Sequence, residues 1–161
     1  MGQQQLLLVI LVTILVGIAT VVAINVFGDA AIQANRDAVR QDLLTASAQA
    51  QAIWARPNAL GGVQGEFDDD DAVADAQFVR LLGIPGSVSG LVITNENAQY
   101  TVARTSADLM TISAVPLSYG HNLTMTIERL STAAPDGGFW RVSYIDAGAG
   151  TEPIYLSGAP D

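Results

Sequence analysis

The densest set of potential metal ligands in the chain is a run of consecutive aspartates: Asp68, Asp69, Asp70 and Asp71. Glu66 and Asp75 lie beside them. Carboxylate oxygens are the ligands that Ca²⁺ prefers, so the run is a weak calcium candidate, although the spacing and the glycine of an EF-hand loop are missing. Acidic residues in the first turn of a helix are also stabilised by the helix dipole. That explains the same run without a metal, and we assign no metal site.

The residues around the only histidine offer a modification site rather than catalysis. His121 follows a glycine, and no serine or acid near it forms a recognisable catalytic arrangement, so we expect a loop residue. Asn122 opens the tripeptide Asn-Leu-Thr, which is the acceptor pattern for N-linked glycosylation. The chain has no cysteine, which excludes disulfides and thiol nucleophiles. We therefore predict no enzyme and no cofactor, and a candidate glycosylation site at Asn122.

The charge balance argues against a nucleic-acid partner. The formal net charge is −9, and the seven basic residues are all arginines. Binding to phosphates needs clustered cations, which an acidic, lysine-free surface does not supply.

The segment from Leu6 to Phe27 is uncharged and apolar. About 22 helical residues span roughly 33 Å, which is enough to cross the hydrocarbon core of a bilayer. A secretory signal has a shorter apolar region, about 7 to 15 residues, preceded by a basic stretch. The length of this segment and the three glutamines before it therefore favour an anchor or a working helix over a discarded signal.

The helical pattern continues well beyond the apolar segment. No proline occurs until Pro57, and the stretch is rich in alanine, glutamine and leucine, which are good helix formers. We therefore predict one helix from about Gln3 to Arg56, within a region 1–56 whose first half, 3–28, is apolar on every side. The second half, 29–56, is amphipathic. Its apolar stripe, expected to pack against the rest of the chain, consists of Ile32, Val39, Leu43, Ala46, Ala50 and Ile53.

The region 57–161 is predicted to form a globular α+β head. A short helix is expected at about 69–82 and an antiparallel sheet of four to five strands at about 90–156. One face of such a sheet needs a cover, and the stripe of the long helix can supply it. Trp54 and Trp140 are expected to pack between helix and sheet.

A long N-terminal helix, hydrophobic first and amphipathic next, packed on a C-terminal antiparallel sheet resembles the type IV pilins. The resemblance implies a structural subunit that waits in the inner or cytoplasmic membrane and is then built into an extracellular helical filament of identical subunits. It also implies a prepilin peptidase, which trims a short leader after glycine, and a pilus assembly machinery. The filament would serve adhesion, motility or surface attachment.

The chain departs from the bacterial pattern of that family at its fifth position. Bacterial pilins usually carry glutamate there, whereas this chain has Gln5, or Leu7 if cleavage follows Gly2. Archaeal pilins and flagellins often lack the glutamate, and in this respect the chain is archaeal-like. No basic leader precedes the apolar segment, so either a leader was removed or the subunit is atypical. A glutamine can hydrogen-bond at the helix start without burying a charge, and Gln5→Glu is expected to change filament yield. Equally, the glutamines can be a polar end at the membrane surface.

The resemblance implies that neighbouring subunits in the filament core cover the apolar helix on all of its faces. The residues expected to form this assembly surface are Gln5, Leu6, Leu7, Leu8, Ile10, Leu11, Ile14, Leu15, Gly17, Ile18, Val21, Val22, Ile24 and Phe27. Two other interpretations stay open. One is a pseudopilin or minor pilin of a secretion or uptake machine, and the other is a monomeric single-pass membrane protein with an external binding domain.

Overall fold

The computed structural model describes residues 2–68, 73–130 and 139–157. It contains two α-helices, α1 (Gly2–Trp54) and α2 (Asp75–Leu81), and a short 3-10 turn at Asn58–Leu60. The strands are β1 (Ser87–Ser89), β2 (Val92–Thr94), β3 (Ala98–Ser106), β4 (Leu109–Pro116), β5 (Leu123–Arg129), β6 (Trp140–Asp146) and β7 (Ile154–Ser157). The chain divides into two compact units, the first ending at Ala34 and the second beginning at Asn35.

Helix α1 is continuous from Gly2 to Trp54 and ends two residues before the predicted Arg56. Pro57 follows, and the residue before a proline is disfavoured in the helical conformation. Gly17 and Gly28, which have a lower helix propensity than alanine, both lie inside the helix without interrupting it. The sequence prediction of one long helix, apolar in its first half, therefore holds.

The sheet is a simple antiparallel meander in which each strand pairs with the next along the chain. The α+β class is confirmed, but the expected count of four to five strands is wrong, because the described residues contain a seven-stranded sheet. The three short strands lie at the edges of the sheet, and of these only β1 lies wholly outside the expected region 90–156. β1 and β2 have three residues each and β7 has four. The three residues of β1, with one apolar side chain among them, are too few to show a convincing alternation in sequence.

The core of the second unit lies between α1 and one face of the sheet. Every second residue of β3 to β6 is buried, which is the period expected of a sheet covered on one side. From the helix, the stripe contributes buried side chains at Val39, Leu43, Ala46, Ala50 and Ile53. They belong to the same apolar cluster as the inward-facing residues of the strands, among them Tyr100, Ile112 and Met125.

Two of the expected boundaries differ from the structure. Ile32, the first residue of the predicted stripe, belongs to the first unit and is not among the buried residues of α1. The predicted helix at 69–82 appears as the shorter α2, which begins at Asp75; positions 69–72 lie outside the described residues. Phe78 of α2 is buried and meets Phe67 edge-on, with ring centroids 6.3 Å apart.

Candidate functional site

The first unit carries a long, predominantly apolar surface, from Leu6 to Phe27, that nothing within the unit covers. From Leu6 to Phe27 the large apolar side chains are exposed, between 48% at Ile10 and 75% at Phe27. Every residue of the predicted assembly surface, from Gln5 to Phe27, lies in α1 and is exposed. By length and composition the helix is able to cross a membrane, and none of its most apolar window is buried. A helix that is apolar all round must be covered by lipid or by protein.

The hydroxyl groups within this apolar unit are turned back onto the helix. Thr13 Oγ1 donates to the carbonyl oxygen of Val9 at 2.6 Å, and Thr20 Oγ1 donates to that of Val16 at 2.8 Å. A hydroxyl bonded to its own helix can enter a dry environment without an unpaired donor. These contacts make the unit compatible with lipid and equally with a bundle of helices.

The acidic run is only partly within the described residues. Asp68 is exposed, whereas Asp69, Asp70 and Asp71 lie outside them. Asp75 is engaged in an ion pair, with Oδ1 3.2 Å from Nη1 of Arg104. Within the described ranges, no group of three or more acidic or histidine side chains is placed to hold a metal ion.

The most elaborate polar cluster surrounds Asp146, which sequence reasoning missed. Asp146 lies at the end of β6 and is 2% exposed. Its Oδ2 accepts from Arg36 of α1, at 2.6 Å from Nε and 2.5 Å from Nη2. Its Oδ1 accepts from the Tyr119 hydroxyl at 2.8 Å and from the Gly148 amide at 3.0 Å. The carboxylate therefore joins the long helix, the β4–β5 loop and the β6–β7 turn.

The electrostatics of this cluster follow from its burial and its donors. Burial opposes ionisation of Asp146, but the hydrogen bonds from Tyr119, Gly148 and Arg36, with the charge of Arg36, lower its pKa below the usual value. Burial also raises the pKa of Tyr119, and its hydrogen bond to Asp146 acts in the same direction. A β-carbon at position 148 would collide with the Tyr119 hydroxyl and the His121 ring, so any other residue there would displace the hydroxyl that Tyr119 donates to Asp146. We interpret the cluster as a structural clamp.

A signal for this clamp exists in the sequence. Val142, Tyr144 and Asp146 alternate along β6, so Asp146 occupies a core-facing position of its strand. A carboxylate at such a position needs a cation or several donors, because a buried unpaired charge is costly. What the sequence does not reveal is that the partner is Arg36, 110 residues earlier.

A second polar cluster joins α1 to the opposite part of the sheet. The Tyr100 hydroxyl donates to Asp42 Oδ2 at 2.6 Å, and the Asn95 side-chain amide donates to the same oxygen at 3.2 Å. Burial raises the pKa of Tyr100, and the hydrogen bond to Asp42 adds to that effect. Asn95 Oδ1 accepts from the amides of Asn97 and Ala98, both at 2.9 Å, and thereby shapes the β2–β3 turn.

The two tryptophans pack against each other where α1 ends. The rings of Trp54 and Trp140 meet edge-on with centroids 5.3 Å apart. The guanidinium of Arg129 lies over both, at 5.3 Å and 5.6 Å from the ring centroids. Arg141 forms a cross-strand ion pair with Glu128, at 3.3 Å between Nη1 and Oε2. This end of the domain is thus held by aromatic and cation–π contacts.

The loop between β4 and β5 carries His121 and Asn122, and both are exposed. The His121 ring contacts the Tyr119 ring edge-on, with centroids 5.4 Å apart. His121 is therefore a loop residue that packs beside the Asp146 clamp.

No protein-family model, curated protein or solved structure matches this chain. Its function must therefore be inferred from its own residues, and the exposed apolar unit is the candidate functional site.

Proposed function

We propose that the protein is the structural subunit of an extracellular, type IV pilus-like helical filament that assembles through its hydrophobic N-terminal helix. The observation that carries the proposal is the division of α1. In its first unit the residues from Leu6 to Phe27 are predominantly apolar and all exposed, while one stripe of residues 39–53 of the same helix is built into the core of a sheet domain. A chain that both anchors its own domain and leaves a long apolar helix uncovered is suited to polymerise through that helix.

The free energy of assembly comes from covering the apolar unit. An apolar side chain of the size of leucine or isoleucine contributes roughly 1.5 to 3 kcal/mol when removed from water, so the unit is not stable as a free rod in water. The membrane covers it before assembly. Transfer of the helix from lipid into a bundle of helices releases much less free energy, because lipid tails are also apolar. Packing and hydrogen bonds between the helices must then supply the free energy of association. A pilus assembly machinery therefore provides the work, after a prepilin peptidase has trimmed the chain.

The remaining surface sets what the filament does. The net charge of −9 disfavours nucleic acid as a partner. Adhesion, motility or surface attachment are the roles that suit an extracellular filament with such a surface.

Cryo-electron microscopy of filaments sheared from the producing cells, with sequencing of the subunit's N-terminus, tests the proposal. We expect a filament whose core is a bundle of the residues from about 3 to 28. Single copies that stay in the membrane fraction would contradict it and favour a single-pass membrane protein with an external domain. Short assemblies found only with a secretion machine would favour a pseudopilin.

A further inference from the structure

We propose that Asn122 carries an N-linked glycan on the face of the sheet opposite to α1. The inference rests on the proposed function in one respect, since it requires the sheet domain to be outside the cell. The tripeptide Asn122-Leu123-Thr124 is the only match in the chain to the acceptor pattern Asn-x-Ser/Thr. Asn58 offers a contrast within the same molecule, because it is also exposed but is followed by Ala59 and Leu60.

The acceptor side chain is accessible. Asn122 is exposed, and its side-chain amide makes no hydrogen bond to any residue in the described ranges. Its neighbour along the chain, Leu123, is buried in the core and pairs with Ala114 and Asp146. The chain thus enters the sheet directly after Asn122, and a glycan there would not disturb the core.

The second residue of the pattern lies on the outer side of the sheet. Along β5, Leu123, Met125 and Ile127 are buried, so Thr124 points away from the core that α1 covers. Asn122, two residues earlier, comes directly before β5, and its backbone carbonyl still accepts from the amide of Ala147 next to β6, so we infer that an extended chain places its side chain on the same side. The cross-strand neighbours of Thr124 are Ser113 and Ile145. The next row contains Thr111, Thr126 and Ser143, so the neighbouring side chains are mostly short hydroxyl side chains that leave room for a sugar.

The loop that carries Asn122 is held in place by hydrogen bonds to the end of β6 and the residue that follows it. The backbone carbonyl of Asn122 accepts from the amide of Ala147 at 3.1 Å. Three residues earlier, Tyr119 turns inward and donates to Asp146. The backbone is therefore fixed by the Asp146 clamp, while the Asn122 side chain remains open to a modifying enzyme.

The modification is a group transfer with a named donor. Asn122 Nδ2 attacks C1 of the first sugar of a lipid-pyrophosphate-linked oligosaccharide. The N–C1 bond forms, the C1–O bond to the pyrophosphate breaks, and the amide proton passes to a base of the transferase. The lipid pyrophosphate leaves, and no oxidant or reductant is required.

Mass spectrometry of the protein from producing cells tests the proposal directly. Trypsin cleaves after Arg104 and Arg129, and the peptide between them contains Asn122. We expect this peptide to carry the mass of a glycan, and a peptide N-glycosidase to remove it and leave aspartate at position 122. An unmodified peptide from assembled filaments would overturn the glycan but leave the proposed function intact. A glycosylated peptide from cells without filaments would support the glycan and contradict the proposed filament.

Three substitutions in the acceptor pattern and one control separate this glycan from any other modification. Asn122→Gln and Thr124→Ala should abolish it, whereas Thr124→Ser should retain it because the hydroxyl is kept. Thr126→Ala is the matched control, since Thr126 lies on the same face of β5 but outside the acceptor pattern. Retention of the sugar in Thr124→Ala, or its loss in both Thr124→Ser and Thr126→Ala, would overturn the proposal.

Discussion

The two halves of α1 have different partners although they form one helix. From Leu6 to Phe27 the residues are exposed on every side of the helix and are predominantly apolar. From Val39 to Ile53 only one stripe is apolar, and it is buried against the sheet. The second half therefore needs nothing outside its own chain to be stable. The first half finds no cover within its unit and must be covered by lipid or by other molecules.

The two halves of α1 are expected to contribute to different properties, the second half to the stability of the sheet domain and the first half to assembly. Substitutions in the second half should change the free energy of unfolding of the sheet domain. Substitutions in the first half should leave that quantity unchanged and alter assembly. Trp54 and Trp140, the only tryptophans, both lie in the second unit, so their fluorescence reports on that unit alone.

The largest effect is expected from a charge in the middle of the apolar unit. An aspartate at the centre of a membrane helix costs about 2.5 to 3.5 kcal/mol on insertion, and a dry filament core disfavours the charge as well, so Ile14→Asp should lower the yield of sheared filaments by more than about tenfold. Ile14→Leu is the control and should assemble normally. Undiminished filament yield with Ile14→Asp would show that this helix surface is not buried by assembly.

The next effect concerns the buried stripe. Leu43 is fully buried, and Leu43→Ala should lower the free energy of unfolding by about 2 to 5 kcal/mol. Urea unfolding of the detergent-solubilised full chain, followed by tryptophan fluorescence, measures it. Leu11→Ala removes the same atoms from the first half and should leave this transition unchanged. Equal shifts for the two variants would abolish the distinction between the halves.

The Asp146 clamp predicts a pH dependence that the first half lacks. The pKa of Asp146 is lower in the folded state than its usual value of about 3.9, so its stabilisation is present above that pH and is lost as pH falls through the folded-state pKa. At pH 7, Asp146→Asn should cost about 1.5 to 3 kcal/mol, a typical contribution of hydrogen bonds to a charged group.

Urea titrations from pH 7 to about pH 3 compare this variant with the wild type. The wild type should lose stability more steeply, so that the difference between the two proteins shrinks in acid. Parallel curves would mean that Asp146 does not contribute through its charge.

The smallest effect is expected at the cross-strand pair of Glu128 and Arg141. Their side chains are 39% and 29% exposed, and exposed ion pairs contribute about 0.2 to 1 kcal/mol. A double-mutant cycle with Glu128→Gln and Arg141→Gln should give a coupling energy in that range, and added salt should reduce it. A coupling energy of several kcal/mol would contradict this prediction and show that the pair is as strong as a buried cluster such as the Asp146 clamp.

The features of the fold that could be predicted from the sequence are those that local residue patterns specify. The long helix, its apolar first half and the α+β class all follow from periodicities that repeat over many residues. β1 was missed because Ser87–Ser89 offers only three residues and a single apolar side chain. The start of α2 at Asp75 differs from the prediction at 69, since acidic residues favour a helix start without fixing its position.

The long helix, with an apolar stretch too long to be left in water, can be predicted from composition and periodicity alone, because these patterns act between neighbours along the chain. The polar residues that join this helix to the sheet could not be predicted in the same way. Arg36 and Asp146, like Asp42 and Tyr100, are distant in sequence and meet only when the strands are in register. The same register places Asn122 and Thr124 on the open face of the sheet, because a shift of one residue would turn both side chains into the core.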